Sequence, residues 1–408
     1  MKNNMTKALG LGVLAGFAAM SAEAGENSSL LKKLVEKGVI TEGEAAVLAE
    51  EANNEWNDAA ALPSWVQSLT LKGDLRLRYD HTHDNPSGLG GAEDRWRYRF
   101  RFGGTANMQN GVKTGFRLAS GGTSDIGSTN TTFDGGFARD NFYLDQAWAQ
   151  MDVSGVTMIG GKNPNFEKTG WFVSKALFDG DITPEGFELH YSTESGSSDV
   201  GFHAGAYFVQ GEDDPSKTLD LLTMAQITAK TSLSDTTGLT LGLGVYNVED
   251  EGIDETSSRS GNSASGVGYT PVFIDAALSM KTGPGVKLYA TYVNNQESSA
   301  TDDTGLIAGI KFGSAKKAGQ WEAKIEYRSL EKDAVWDELT DSDFGAFGAN
   351  GSVDTYKSGT NVEGTIVQGK YMIYDNVQTA LTLLTTESED GTDGETNNRI
   401  QADIIFKF

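Results

Sequence analysis

From Leu69 to the end of the chain, apolar and polar side chains largely take turns one residue at a time. Leu71, Leu75, Leu77 and Tyr79 oppose Lys72, Asp74, Arg76 and Arg78; Trp321, Ala323, Ile325 and Tyr327 oppose Glu322, Lys324, Glu326 and Arg328. The extreme case is "RWRYRFRF", Arg95 to Phe102, where four arginines alternate with four aromatic rings. A helix, repeating every 3.6 residues, would smear both kinds around its circumference; a strand sends all the arginines to one side and all the rings to the other. At a rise of roughly 3.3 Å per residue the arginines stand about 6.7 Å apart on one wall. Sixteen runs are predicted as strands: 68–80, 93–107, 111–121, 139–153, 155–162, 185–193, 199–210, 218–234, 238–249, 271–282, 285–297, 304–314, 319–332, 360–374, 376–388 and 396–408. In 139–153 and 360–374 the pattern leaves open which face is which.

The connectors indicate the topology. Short turns ("MQNG", "SG", "ESGSS", "DTTG", "GPG", "AKKAG", "DN") alternate with longer polar insertions at 81–92, 122–138, 163–184, 250–270 and 333–359. Along an antiparallel meander this rhythm gathers tight turns at one end and long loops at the other, the construction of bacterial outer-membrane barrels. The predicted fold is all-β, a transmembrane antiparallel β-barrel of about 16 strands. The polar face of each strand lines a wet interior, the apolar face meets lipid, and closure leaves no unpaired edge.

Only the beginning of the chain departs from the two-residue period. Lys2 and Lys7, the apolar run Ala8–Met20 and "AEA" at Ala22–Ala24 read as a signal peptide, residues 1–24, cleaved after Ala24. Residues 25–62 read as a periplasmic helical segment and linker, and 63–408 as the barrel. In "SLLKKLVEKGVITEGEAAVLAEEA" (29–52), Leu30, Leu31, Leu34 and Val35 share one helical face. Gly38 suits a C-terminal cap, and Thr41 with Glu44 forms a capping box for a second helix.

Composition narrows the function. With 57 acidic against 33 basic residues the net charge is −24, which repels nucleic acid and anionic membrane surfaces, so no nucleic-acid partner is expected. Many acids fall in "GEDDP" (211–215), "EDEGIDE" (249–255) and "ESEDGTDGE" (387–395), read as solvated loops. Exposed carboxylates there also suit divalent cations shared with lipopolysaccharide phosphates. Cysteine is absent, so disulfides and thiolate metal sites are excluded. Beyond the N-terminus no apolar run reaches the roughly 20 residues of a spanning helix. A hydrolytic barrel needs a nucleophile with a histidine base, yet no serine motif accompanies His81, His83, His190 or His203. "HTH" (81–83) lacks a third ligand nearby. No catalytic residue, metal or cofactor is predicted.

The chain ends "RIQADIIFKF", with Ile400, Ala402, Ile404 and Phe406 at every second place before Phe408. Phe406 and Phe408 resemble the recognition signal of the outer-membrane barrel assembly machinery. Together with "LLKKLVEKGVITEGEAAVL", "LKGDLRLRYD" with "RWRYRFRF", and "ALFDGDITPEGFELHY" (176–191), this makes almost the whole mature length resemble the putative porin family of Gram-negative bacteria. The resemblance implies a sixteen-stranded diffusion channel in the outer membrane. General porins of that size are commonly trimers, so a homo-oligomer is implied, although the helical leader departs from the best-known trimeric ones.

Selectivity of such a channel comes from what lines its narrowest point. Arg76, Arg78, Arg95, Arg97, Arg99, Arg101, Lys113 and Arg117 project from three adjacent predicted strands onto one sector of the wall, and so many like charges call for counter-charges. In porins resembling this one, the connector corresponding to 163–184 folds inward as the constriction. It offers Glu167, Asp179 and Asp181, with Glu185 at the strand start, opposite the arginine wall. Trp96, Tyr98, Trp148, Trp321, Tyr327, Tyr371 and Phe408 are expected to face lipid or form interfacial girdles, whereas Tyr207 and Tyr289 fall on the interior phase. The expected function is passive diffusion of ions and small hydrophilic solutes. The rivals are a substrate-specific channel for phosphate or another oxyanion, an outer-membrane tether working through the helical leader, and a secreted soluble β-protein.

Overall fold

The computed structural model describes residues 31, 33–48, 63–83, 93–122, 126–210, 220–248, 261–263, 267–347, 356–389 and 396–408. The expected signal peptide and cleavage site, and most of the acidic loops at 211–215, 249–255 and 387–395, lie outside the described residues. The chain divides into two compact units, Met1–Gln67 and Ser68–Phe408.

The first unit carries the two short helices expected from its capping signals, spanning 33–36 and 42–48. Gly38, at φ +68°, closes the first: its N–H donates to the Val35 carbonyl and that of Val39 to the Leu34 carbonyl. This is the double-bonded left-handed cap for which glycine is favoured. The Thr41–Glu44 capping box forms reciprocally, Thr41 N to Glu44 Oε2 at 2.8 Å and Glu44 N to Thr41 Oγ1 at 3.2 Å.

Sixteen long strands follow, all within the second unit save the first two residues of the first strand. They are β1 (Val66–His83), β2 (Glu93–Met108), β3 (Lys113–Ala119), β4 (Tyr143–Val153), β5 (Val156–Lys162), β6 (Glu185–Ser195), β7 (Ser198–Gln210) and β8 (Asp220–Ser232), then β9 (Thr237–Val248), β10 (Pro271–Met280), β11 (Val286–Asn295), β12 (Thr304–Gly313), β13 (Trp321–Leu330), β14 (Val362–Tyr374), β15 (Val377–Ser388) and β16 (Thr396–Lys407). Each pairs antiparallel with the next, and β16 returns to β1 with Asp74–His83 against Asn398–Lys407, so the sheet is a closed barrel. Gly73 and Phe408 extend the seam through two backbone bonds, 2.7 and 3.1 Å. A β-carbon on Gly73 would lie 2.6 Å from the Phe408 ring and the Arg101 carbonyl oxygen, so the seam requires glycine there. One two-residue turn, Ser154–Gly155 between β4 and β5, has positive φ at both residues (53° and 84°), the geometry that matches the twist of flanking strands.

The outer face follows the alternation. Leu241 and Leu243, Phe187 and Leu189, and Ile325 and Tyr327 are exposed, while Gly242, Glu188 and Glu326 between them point inward. Three expectations need correction. The "HTH" stretch is the end of β1 rather than loop; Thr82 pairs with Arg399 of β16, and His81 bonds Asp94. Trp148 lies on the interior face, stacked over Gly115, because a bulge at Arg117/Leu118 lets β4 place Asp145 and Gln146 inward in succession and shifts its phase. The interior is also not polar all round. Tyr207, Leu222, Met224, Tyr246, Phe273, Val293, Ile307 and Leu330, contributed by β7 to β13, are buried against two loops that enter the barrel. One is 163–184; the other follows β13, in the stretch 333–359 whose sequence predicts a longer polar insertion.

Candidate pore wall and the loops that meet it

The interior-facing positions of β1 and β2 stack Asp74, Arg76, Arg78 and Asp80 against Arg95, Arg97, Arg99 and Arg101. Their neighbours β3 and β16 add Arg117 and Arg399, Gln401 and Asp403. The guanidiniums are knitted to carboxylates. Arg78 takes both oxygens of Asp403 (2.7 and 2.9 Å) and one of Asp343 (3.1 Å). Arg399 takes both oxygens of Asp80 (2.8 and 2.7 Å) and reaches Asp343 at 2.9 Å, and Arg95 bonds Asp80 at 2.9 Å. Arg99 and Arg101 share Asp74 (3.0 and 2.6 Å), while Arg117 bonds Asp145. Two-oxygen guanidinium pairing of this kind is directional as well as strong.

The β5–β6 loop brings one carboxylate, Asp181, to the arginines of this wall, and its Thr183 hydroxyl donates to Asp145 at 3.3 Å. Asp181 lies 3.1 Å from Arg101 and 3.8 Å from Arg99. Burial alone would raise its pKa, but Arg99, Arg101, Arg76 and Arg117 outweigh that and hold the carboxyl below its ordinary value. The other acids of the expected set go elsewhere. Asp179 is turned to the loops, its carboxylate accepting from the backbone N–H of Asp181 (2.8 Å) and of Ser342 (3.3 Å). Glu167 is exposed beside Lys175 at 3.6 Å, and Glu185 pairs with Lys162 at 3.1 Å. Lys113 stands opposite Asn107 and Gln150 on the same interior face. Phe406 and Phe408 point outward from the seam, Phe408 against Phe100.

Apolar side chains hold the loop in place. A one-turn helix, Phe166–Thr169, capped by Asn165, presents Phe166; Trp171, Leu177, Phe178 and Ile182 follow. Phe178 packs against Phe166 (4.7 Å between centroids), Tyr246 (5.7 Å) and Phe273 (6.1 Å). Trp171 donates to Glu188, which also receives Asn163 and His190; His190 in turn meets His203 at 2.7 Å and Trp171 edge-on. The loop after β13 packs alongside through Val335, Trp336 and Leu339. Segment 261–263 pins it, donating the Gly261 and Asn262 N–H groups to Asp337 and that of Ser263 to Asp333. The same loop delivers Asp341 to Arg328 (2.8 Å) and Asp343 to Arg78 and Arg399. Burial opposes ionisation of Asp343, yet Arg399 and Arg78 hold its carboxyl well below the usual carboxylate range.

Sequence reasoning missed Asp343, Arg399, Asp403 and the Glu188–His190–His203 group. Arg399 and Asp403 share a phase in "RIQADIIFKF" and were legible there. Asp343 was not, because nothing local says that its loop turns inward. Among the described residues no group of three His, Asp or Glu side chains is arranged to hold a metal ion.

The family described as "Putative porin" matches residues 28–88, 90–270 and 267–408. The chain belongs to this porin family. Among solved structures, Pseudomonas putida OprB in its high-pH form is similar over 88% of this chain and 96% of that one, at TM-score 0.56 and 11% identity, which speaks for the fold alone. A mutant of the Rhodopseudomonas blastica porin covers 84% of this chain and is covered in full, at 12% identity and TM-score 0.49. No curated protein sequence matches. As a porin-family barrel, the protein is a channel of the passive-diffusion type; family and fold point to a channel rather than an enzyme.

Proposed function

We propose that this porin sits in the outer membrane of a Gram-negative cell and passes ions and small hydrophilic solutes along the arginine wall. The narrowest point lies where Asp181 and Asp343 approach that wall. The observation that carries the reading is the division of the closed barrel into an apolar outer face and an interior wall of paired charges, with two loops seated inside. Arg76, Arg78, Arg97, Arg99, Arg101, Lys113, Arg117 and Asp181 are the pore-lining set in this reading. Asp179 and Glu167 serve the loop rather than the wall. Export by the signal peptide, recognition of Phe406 and Phe408 by the assembly machinery, contact with lipid and lipopolysaccharide, and assembly into a homo-oligomer belong to the same reading.

In planar bilayers the purified protein is expected to give stepwise conductance that rises with salt concentration, and proteoliposomes are expected to swell in small sugars. Absence of steps, or recovery of the folded protein from plain buffer without detergent, refutes the proposal. A variant lacking residues 25–60 is expected to conduct still; loss of cell-envelope attachment with conductance intact would add a tether function.

A further inference from the structure

Not every guanidinium on the wall is matched. The wall described above carries eight arginines, Arg76 and Arg97 among them, against six aspartates (Asp74, Asp80, Asp145, Asp181, Asp343 and Asp403). Arg76 is only 9% exposed, has no carboxylate within 4 Å among the described residues, and bonds only the Asn130 amide oxygen, at 2.5 Å. Its Nε–H has no partner. Among the described residues the one carboxylate within 4 Å of Arg97 is Asp80, at 3.9 Å, and the Arg97 Nε–H likewise has no partner there. Asp80 cannot serve it better, because Arg399 occupies both its oxygens and Arg95 one of them. A buried guanidinium with an idle N–H is costly, and its planar fork suits two oxygens of one anion.

These two arginines lie within one strand pair. On β1, Arg76 falls between Asp74 and Arg78; on β2, Arg97 falls between Arg95, which pairs with Asp80, and Arg99, which pairs with Asp74. Among the described residues the eight arginines exceed the six aspartates by two, and Arg76 and Arg97 are the two with no carboxylate closer than 3.9 Å. We infer that Arg76 and Arg97 each offer an open guanidinium fork to a tetrahedral oxyanion, of the chemistry of hydrogen phosphate or sulfate, on the wall of the pore. The inference rests on the diffusion reading and sharpens it: the channel binds the anion in passing. The anion completes the fork of the arginine it meets, while a halide, offering one point of contact, does not.

The test is conductance of the full-length protein in bilayers bathed in potassium chloride, titrated with inorganic phosphate and then sulfate. Chloride current is expected to fall saturably with either anion. Arg76→Gln and Arg97→Gln are each expected to raise the half-blocking concentration about tenfold, as loss of a charge-assisted bond implies. Arg97→Lys, which keeps charge and loses the fork, is expected to fall between wild type and Gln, and carries the test should a Gln variant not show the heat-dependent gel migration of a folded barrel. Lys317→Gln, in the turn before β13, is expected to match wild type. A chloride-conducting wild type with no saturable block, or Arg76→Gln and Arg97→Gln variants both blocked like wild type, overturns the site while leaving the pore intact. A protein that conducts nothing fails the pore reading instead. Calorimetry with phosphate on the detergent-solubilised protein then decides the site: binding heat lost in the Gln variants supports it, and no heat in wild type overturns it.

Discussion

Phe178→Ala tests whether apolar packing, rather than the ion pairs, keeps the β5–β6 loop inside the barrel. Phe178 is 3% exposed and packs against Phe166, Tyr246 and Phe273. Removing a ring so buried costs about 3–5 kcal/mol, counting lost transfer energy and the cavity left behind. The strand ladder does not pass through Phe178, so the cost falls on seating of the loop rather than on closure of the barrel. At about 1.4 kcal/mol per factor of ten, the population with the loop unseated should rise by roughly two to three and a half orders of magnitude. Single-channel recordings would show this as frequent excursions to a higher conductance level, infrequent in wild type; Phe178→Leu, which fills most of the space, should lie much nearer wild type. The reasoning is refuted if Phe178→Ala, shown to be folded by heat-dependent migration, conducts with wild-type level and wild-type noise. In that outcome Asp181, with the Asp179 N–H bond to the Leu339 carbonyl at 2.7 Å, would be holding the loop instead.

Three other outcomes follow from the structure. Asp181 and Asp343 have depressed pKa values, so the stability they contribute is fully present above the unfolded carboxylate value of about 3.9 and is lost only as pH falls through their lower folded values; conductance should therefore hold from pH 7 to about pH 4 and change only below, and a transition beginning near pH 5 would contradict the pairing. Gly73→Val puts a branched side chain where the Phe408 ring and the Arg101 carbonyl oxygen already stand, so the yield of heat-resistant folded barrel should drop several-fold, whereas Gly369→Ala, with nothing within 4 Å of its new β-carbon, should assemble normally. Brominated lipid should quench Trp321, which is 48% exposed on the outer face, but not Trp148; Trp321→Phe should reduce the quenchable fluorescence and Trp148→Phe should leave it unchanged.

Legibility tracked how local the cause was. Strand positions, their number and the meander could be read along the chain because each depends on a two-residue period and on turn chemistry, both properties of neighbouring residues. The wall of Arg76, Arg78 and Arg95 to Arg101 was visible for the same reason, and so were two of its partners, Asp74 and Asp80, which share its phase. Trp148 was misplaced because a single bulge inverts a strand's two faces, and a bulge is set by the partner strand.

By itself, then, the amino-acid order determined a closed cylinder with a basic stripe inside and aromatic, aliphatic side chains outside, since period and alternation are properties of the chain. Only the tertiary structure decided that Asp181 and Asp343 reach the stripe, that Asp179 and Glu167 do not, and that half the interior is an apolar seat for two loops. The physical reason is that a loop carries no period: its side chains point wherever packing against distant strands stabilises them. The partners of Arg78 are Asp343 and Asp403, 265 and 325 residues away in sequence. No pattern within a run of neighbours records a pairing made at that separation.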